Sequence, residues 1–160
     1  MFGTNKKSQI SIIEPTREIP QKRRSGVRVP LGGDCADVYF RFGNAQHIGR
    51  RSEQQDAFGY SNFRKIAEQG VLAVLSDGMG GLANGKQVSQ YTVSSMITMF
   101  QSMDINLDIP DELKSIVKQI NLQVCAASAS GQQSTCGATL ASAFFYKTKM
   151  YWACIGDSRI

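Results

Sequence analysis

The sequence predicts an α+β fold, because its strand and helix patterns occur in separate groups rather than in alternation. Three short strand patterns come first, at residues 38–42, 56–63 and 71–75. Two long helical patterns and then two further strand patterns follow, at residues 86–103, from residue 110 onward, at 139–146 and at 150–155. Grouping of this kind favours antiparallel strands with helices packed beside them, whereas alternation would indicate a parallel sheet.

The strand patterns are short apolar or alternating runs separated by turn residues. Gly43, Gly49 and Gly70 supply turns between the first three, since glycine adopts backbone conformations that other residues avoid. The run at residues 71–75 is apolar at every position, which is typical of a buried strand. Residues 147–149 are predicted to join the last two strands as a hairpin.

Both central segments carry apolar residues at helical spacing. The first helix is predicted over residues 86–103. The second begins at Pro110, which suits the first helical turn, and the acidic residues 111 and 112 favour a helix N-terminus. Its apolar stripe consists of Leu113, Ile116, Val117, Ile120, Val124 and Ala127. A polar loop is predicted at residues 128–134.

Positive charge is concentrated at the N-terminus. The chain has 160 residues and a net charge of +5, and residues 1–30 hold seven Lys or Arg against two Glu, which accounts for the whole excess. We therefore predict a basic, disordered leader over residues 1–35 and a folded domain over residues 36–160. The basic cluster at residues 22–24 is interpreted as solvated leader rather than as a contact for acidic lipid, and no nucleic-acid partner is expected.

Other features of the composition indicate an ordinary intracellular protein. No apolar stretch reaches the roughly 18 residues of a membrane span, and the N-terminus lacks the apolar core of a signal peptide. We therefore predict no membrane span and a cytoplasmic location. The four cysteines show no paired spacing, which argues against a zinc site and favours reduced thiols.

The most informative motif is Asp77-Gly78-Met79-Gly80-Gly81, which directly follows the buried strand. It places a carboxylate at the edge of a sheet, followed by glycines that allow close approach of the backbone. Carboxylate and carbonyl oxygens suit Mg²⁺ or Mn²⁺. We therefore predict that Asp77 and the Gly78 carbonyl bind a divalent metal ion.

A nucleotide-binding loop is an alternative for the same stretch. Residues 80–87 match the Gly-x-x-x-x-Gly-Lys frame of a P-loop, after a strand and before a helix. However, Gln87 stands where a Ser or Thr hydroxyl should reach the magnesium ion. The metal-site interpretation is therefore favoured, and the P-loop remains the minor alternative.

Three further motifs accompany the aspartate motif. Upstream, Arg51 is followed five residues later by Asp56-Ala57-Phe58, and downstream lie Gly137-Ala138-Thr139-Leu140 and Gly156-Asp157-Ser158-Arg159. In this order, the four motifs resemble those of the PPM (PP2C-like) metal-dependent serine/threonine protein phosphatases in their bacterial form. The resemblance extends over roughly residues 45–160.

The resemblance implies a fold and a reaction. The fold would be an α/β/β/α sandwich, with two antiparallel sheets face to face and helices outside. The reaction would be hydrolysis of phosphoserine and phosphothreonine in proteins by water activated between two Mn²⁺ or Mg²⁺ ions. The partners would be phosphorylated proteins, with a serine/threonine kinase acting in opposition.

The resemblance also implies roles for particular residues. Asp77 would bridge two metal ions, the Gly78 carbonyl would bind one of them, and Asp56 would be a direct or water-mediated ligand. Arg51 would bind the substrate phosphate through its planar guanidinium group. Asp157 would hold an additional, weaker ion, although a turn-forming carboxylate is an equal alternative.

The chain also departs from the family pattern. Gln55 stands where many members have a Glu that can bind metal, and Met79 stands where many eukaryotic members have a histidine. His47 matches no family role and is predicted to be an ordinary strand or loop residue. The family's two further metal-binding aspartates lie in a C-terminal half that this sequence lacks.

The chain therefore resembles the N-terminal portion of a phosphatase domain. We expect it to be inactive by itself, because two dications need more anionic ligands than these residues provide. A non-catalytic, phosphatase-like module that binds phosphoproteins or a kinase is the alternative function.

Overall fold

A five-stranded antiparallel sheet organises the fold. It is seen in a computed structural model, which describes residues 9–13, 27–29, 38–79, 84–129 and 136–160. Its strands are β1 (Gln9–Ile13), β4 (Asp56–Tyr60), β5 (Val71–Asp77), β6 (Leu140–Tyr146) and β7 (Lys149–Ile155). They lie in the order β1-β7-β6-β5-β4 across the sheet. A separate antiparallel pair consists of β2 (Val27–Val29) and β3 (Val38–Phe40).

Two long helices follow β5 in the chain, α2 (Gly85–Gln101) and α3 (Ile109–Ala129). Helix α2 lies over β4 and β5, whereas α3 contacts α2, β7 and β1. The space between helices and sheet is filled by a single apolar cluster. Its largest fully buried members are Phe144, Leu72, Met96, Leu113, Ile120 and Leu140. The predicted α+β class is confirmed, and the two long helices occupy one face of the sheet.

The opposite face of the sheet is largely apolar and partly open. Leu75 is 44% exposed there, and its cross-strand neighbours Phe58 and Ala141 lie on the same face. A cleft of about 490 Å³ lies over this face. The resemblance implies a second sheet, but the described residues form only the two-stranded β2–β3 pair besides the main sheet.

Most predicted elements are observed, with shifted ends. The predicted strand at residues 71–75 continues to Asp77, and the predicted 56–63 strand ends at Tyr60. A short helix, α1 (Ile66–Gln69), was not predicted, and Gly70 ends it at φ +71°. Helix α3 includes residues 128 and 129 of the predicted loop, whereas residues 130–134 lie outside the described residues.

Two short segments of the predicted leader form strands. Residues 9–13 form β1, which pairs with β7 from Gln9–Cys154 to Ile13–Met150, and residues 27–29 form β2. Residues 9–13 are too few to give a clear strand pattern, and their partner strand β7 is distant in the sequence. The basic cluster at 22–24 and Cys35 lie outside the described residues. The domain boundary at residue 36 stays a prediction.

Because β1 pairs with β7, removal of residues 1–14 is expected to destabilise the protein. The deletion exposes the backbone groups of β7, and net hydrogen-bond contributions of about 1 kcal/mol each predict a loss of about 1–3 kcal/mol. Thermal unfolding followed by circular dichroism measures the effect. An unchanged transition would show that β1 contributes no stability to the sheet.

None of the helices that the structure describes is both long and apolar enough to cross a membrane.

Candidate functional site

The site lies where β4 begins and β5 ends. In this antiparallel pair Asp56 is the direct partner of Asp77, so both side chains lie on the same face of the sheet. The structure thus brings together two predicted metal ligands that are 21 positions apart in the sequence.

The electrostatics of the site centre on Asp77. Burial, together with a hydrogen bond and repulsion from Asp56, raises the pKa of Asp77 above its ordinary value. The charge of Asp157 raises this pKa further, and the positive charge of Arg51 lowers it. Asp56, Asp157 and Arg51 therefore all influence the protonation of Asp77, and three of these four side chains are carboxylates. Such an excess of negative charge favours a bound cation.

A set of hydrogen bonds holds the segment that precedes β4. Gln54 Nε2 donates to Asp56 Oδ2 at 2.8 Å. The Gln55 carbonyl accepts from the Gly78 amide at 3.1 Å and from the Ser89 hydroxyl of α2. These bonds tie the backbone beside Asp56 to the end of β5 and to the first turns of α2. Gln55 makes these two contacts through its main-chain carbonyl and not through its side chain.

An ion pair adds to this attachment. Lys86, near the N-terminus of α2, contacts Glu53 at 3.2 Å, and both side chains are a little less than half exposed. Ion pairs that water can reach contribute little stability. This pair nevertheless adds a contact between residues 51–55 and the helix. Lys86 is therefore engaged with a carboxylate, and this weakens the P-loop alternative. Residues 80–83 of that motif lie outside the described residues.

The first glycine of the aspartate motif, Gly78, is explained partly by packing. A Cβ atom at Gly78 would lie 2.3 Å from the carbonyl oxygen of Gly85 and 3.0 Å from that of Gln55. Only glycine therefore allows the end of β5 to approach the N-terminus of α2 so closely. The predicted metal-binding role of the Gly78 carbonyl stays a prediction, since packing alone requires glycine here.

Replacement of Gly78 by alanine is expected to cost about 1–3 kcal/mol of unfolding free energy, because the new methyl group meets fixed backbone atoms. Gly43→Ala is the matched control, since a Cβ at Gly43 meets no atom within 4 Å and should change stability by less than about 0.5 kcal/mol. Urea unfolding of both variants measures the difference. Equal stabilities would contradict the close contact between β5 and α2.

The two downstream motifs meet beside Asp77. Thr139 Oγ1 accepts a hydrogen bond from the Asp77 amide at 3.0 Å and lies 2.6 Å from Ser158 Oγ.

His47 lies in a loop and its Nδ1 accepts from the Gly49 amide at 3.0 Å. This agrees with the prediction for His47.

The donor chemistry of the site fits a hard divalent cation, although the number of donors is small. Asp56 and Asp77 offer carboxylate oxygens, which Mg²⁺ and Mn²⁺ prefer. Within the described parts of the chain, no group of three His, Cys, Asp or Glu side chains is close enough to hold a metal. The charge of Asp157 raises the pKa of Asp77, but Asp157 does not form a group of three potential metal ligands with Asp56 and Asp77.

Sequence reasoning missed some residues of the site. Gln54, Thr139 and Ser158 all bond to the site residues or to each other. The motifs containing Thr139 and Ser158 were noted, but their spacing gave no sign that these two hydroxyl groups meet. Gln54 carried no signal, because a single amide beside a carboxylate is common in loops.

Comparisons with known proteins agree with this geometry. A family model described as "Protein phosphatase 2C" matches residues 44–160. The structure is similar to that of the serine/threonine phosphatase Stp1 from Staphylococcus aureus, with 25% identity, a TM-score of 0.61, and coverage of 69% of this chain and 44% of that one. No curated protein sequence matches the chain.

A bacterial serine phosphatase carrying an arginine-to-lysine substitution is similar to the same degree. Its identity is 25%, its TM-score is 0.60, and the match covers 69% of this chain and 45% of that one. The chain therefore spans less than half the length of these two solved phosphatases. Because the family model matches well over half of the sequence, the chain belongs to the protein phosphatase 2C family.

Proposed function

We propose that this chain supplies part of the metal- and phosphate-binding site of a protein serine/threonine phosphatase that depends on Mn²⁺ or Mg²⁺. The observation that carries the proposal is the direct cross-strand pairing of Asp56 and Asp77, with Arg51 and Asp157 close enough to act on Asp77. Two facing carboxylates repel each other, and a cation between them would relieve that repulsion. The similarity to solved serine/threonine phosphatases supports the same conclusion.

Each residue has a proposed task. Asp77 and Asp56 hold the metal ions, with the Gly78 carbonyl as a further oxygen donor and Asp157 at a weaker position. Divalent ions bound there would supply Lewis-acid activation of water and charge neutralisation at the phosphate. Arg51 is exposed, so its guanidinium group is free of burial and can bind two phosphoryl oxygens of an incoming substrate. Gln54 orients the Asp56 carboxylate through its 2.8 Å hydrogen bond.

The substrates that we propose are phosphoserine and phosphothreonine side chains of proteins, and the opposing partner is a serine/threonine kinase. This part of the proposal follows from membership of the protein phosphatase 2C family and from the similarity to a solved serine/threonine phosphatase. We further propose a cytoplasmic location, which follows from the composition alone.

A non-catalytic phosphoprotein-binding module is the second candidate. It is favoured by the small number of metal donors among the described residues, because an arginine and a single partly hydrated ion can bind a phosphate without activating water. Both candidates would bind phosphoproteins, but only the phosphatase would release phosphate from them.

Phosphate release from a phosphothreonine peptide distinguishes the two candidates. We expect no release from the 160-residue chain alone. We expect release when the chain is joined to the portion of the Stp1 domain that it does not cover, and only in the presence of Mn²⁺ or Mg²⁺. Equal release in excess EDTA would overturn metal dependence. Peptide binding without release by the joined protein would favour the non-catalytic module.

A further inference from the structure

Thr139 is not a predicted metal ligand, yet it makes two hydrogen bonds to the main chain of Asp77. It is buried, with 7% of its surface exposed, and lies just before β6 begins. Its amide donates to the Asp77 carbonyl at 2.8 Å, and its hydroxyl accepts from the Asp77 amide at 3.0 Å. Thr139 therefore bonds to both main-chain polar groups of Asp77.

These bonds lie where the backbone pairing of β5 and β6 is interrupted. The regular register ends at the Leu75–Ala141 pair, two residues before Asp77, and it resumes at the isolated Gly78–Ala138 bridge. Beyond it, Ser76 Oγ donates to the Thr139 carbonyl at 2.6 Å, and the Thr139 hydroxyl takes the place of a carbonyl acceptor for the Asp77 amide. At this interruption the end of β5 is thus fixed by side-chain hydroxyl groups as well as by the backbone bond from the Thr139 amide to the Asp77 carbonyl.

Thr139 also contacts the turn that carries Asp157. Its Oγ1 lies 2.6 Å from Ser158 Oγ. Gly156 has a φ of +92°, and a Cβ atom there would lie 3.0 Å from Thr139 Cγ2. A single side chain therefore connects the backbone of Asp77 with the residues on both sides of Asp157.

We propose that Thr139 is a positioning residue: its hydroxyl group fixes the Asp77 backbone and, through Ser158, holds the turn of Asp157 beside it. The positioning itself concerns only the fold of this chain. Its consequence for cation binding rests on the proposed function. Thr139 is not expected to touch metal or substrate.

Two measurements on the full chain test the positioning directly. Thr139→Val keeps the shape but removes the hydroxyl group, and we expect the Asp77 amide to exchange with solvent about tenfold faster, as loss of one hydrogen bond predicts. We also expect the backbone order parameter of Asp157 to fall from about 0.85 toward the flexible range in Thr139→Val and in Ser158→Ala. Thr139→Ser, which restores the hydroxyl group, should behave like the wild type in both measurements.

Thr92→Val is the matched control. Thr92 is fully buried in α2, and its hydroxyl group has no hydrogen-bond partner among the described residues. The same chemical change there should leave the Asp77 exchange rate and the Asp157 order parameter unchanged. If Thr139→Val fails to fold, Ser158→Ala decides the link to the Asp157 turn by its order parameter alone.

Calorimetric titration with Mn²⁺ then tests the consequence. We expect about tenfold weaker binding by Thr139→Val than by the wild type, a loss within the range for residues that orient metal ligands, with rescue by Thr139→Ser. If the wild type binds no Mn²⁺, the proposed function is overturned, while the exchange and order-parameter results still decide the positioning. The positioning role would be overturned if Thr139→Val had the same Asp77 amide exchange rate, the same Asp157 order parameter and the same Mn²⁺ affinity as the wild type.

Discussion

Phe144→Ala is expected to lower the free energy of unfolding by about 3–5 kcal/mol, the usual cost of removing a buried phenyl ring. Phe144 is 0% exposed and lies at the centre of the sheet in β6. Its ring meets that of Phe100 of α2 edge-to-face, with centroids 4.8 Å apart, and stacks on Tyr151 at 5.8 Å. The substitution leaves a cavity between sheet and helix that neither element can fill without moving.

Urea unfolding measures this effect, and Leu122→Ala is the control. Leu122 is 68% exposed on α3, so its truncation should change stability by less than about 0.5 kcal/mol. A loss below about 1 kcal/mol for Phe144→Ala would contradict the packing of α2 against β6.

The elements predicted best are those whose patterns are local. The apolar stripe of α3 is an example, because Leu113, Ile116, Ile120 and Val124 are all buried. Strand β1 shows the opposite case. Its partner β7 begins at residue 149, and five residues without distinctive spacing give no sign of so distant a pairing.

The same distinction applies to the site. Asp56 and Asp77 were predicted as ligands because each lies in a recognisable motif, and their register confirms that they are neighbours. The bonds of Thr139 to Asp77 and Ser158 were not predicted, because they depend on where the β5–β6 pairing is interrupted. The reason for Gly78 was incomplete, since its contact with Gly85 exists only once α2 is packed.

Asp77→Asn is expected to abolish the binding of Mn²⁺. The amide keeps the size of the side chain but removes the charge, and one remaining carboxylate at Asp56 is too little to dehydrate and hold a hard dication. The fold should tolerate the change well, because the substitution removes a partly buried negative charge and its repulsion from Asp56, and both of these raise the pKa of Asp77. In metal-free buffer the variant should therefore be at least as stable as the wild type.

Asp104→Asn is the control for charge alone. Asp104 is exposed between α2 and α3, where its carboxylate accepts hydrogen bonds from Asn106. It has no part in the proposed site, so the variant should bind Mn²⁺ as the wild type does. Weaker binding by Asp104→Asn would indicate a nonspecific effect of net charge.

Calorimetric titration of Mn²⁺ into the wild type, Asp77→Asn and Asp104→Asn, each at the same concentration and metal-free at the start, tests the proposed cation site most directly. We predict weak binding of one ion by the wild type and by Asp104→Asn, and none by Asp77→Asn. Binding by Asp77→Asn with wild-type affinity would show that the paired carboxylates of β4 and β5 are not the metal site.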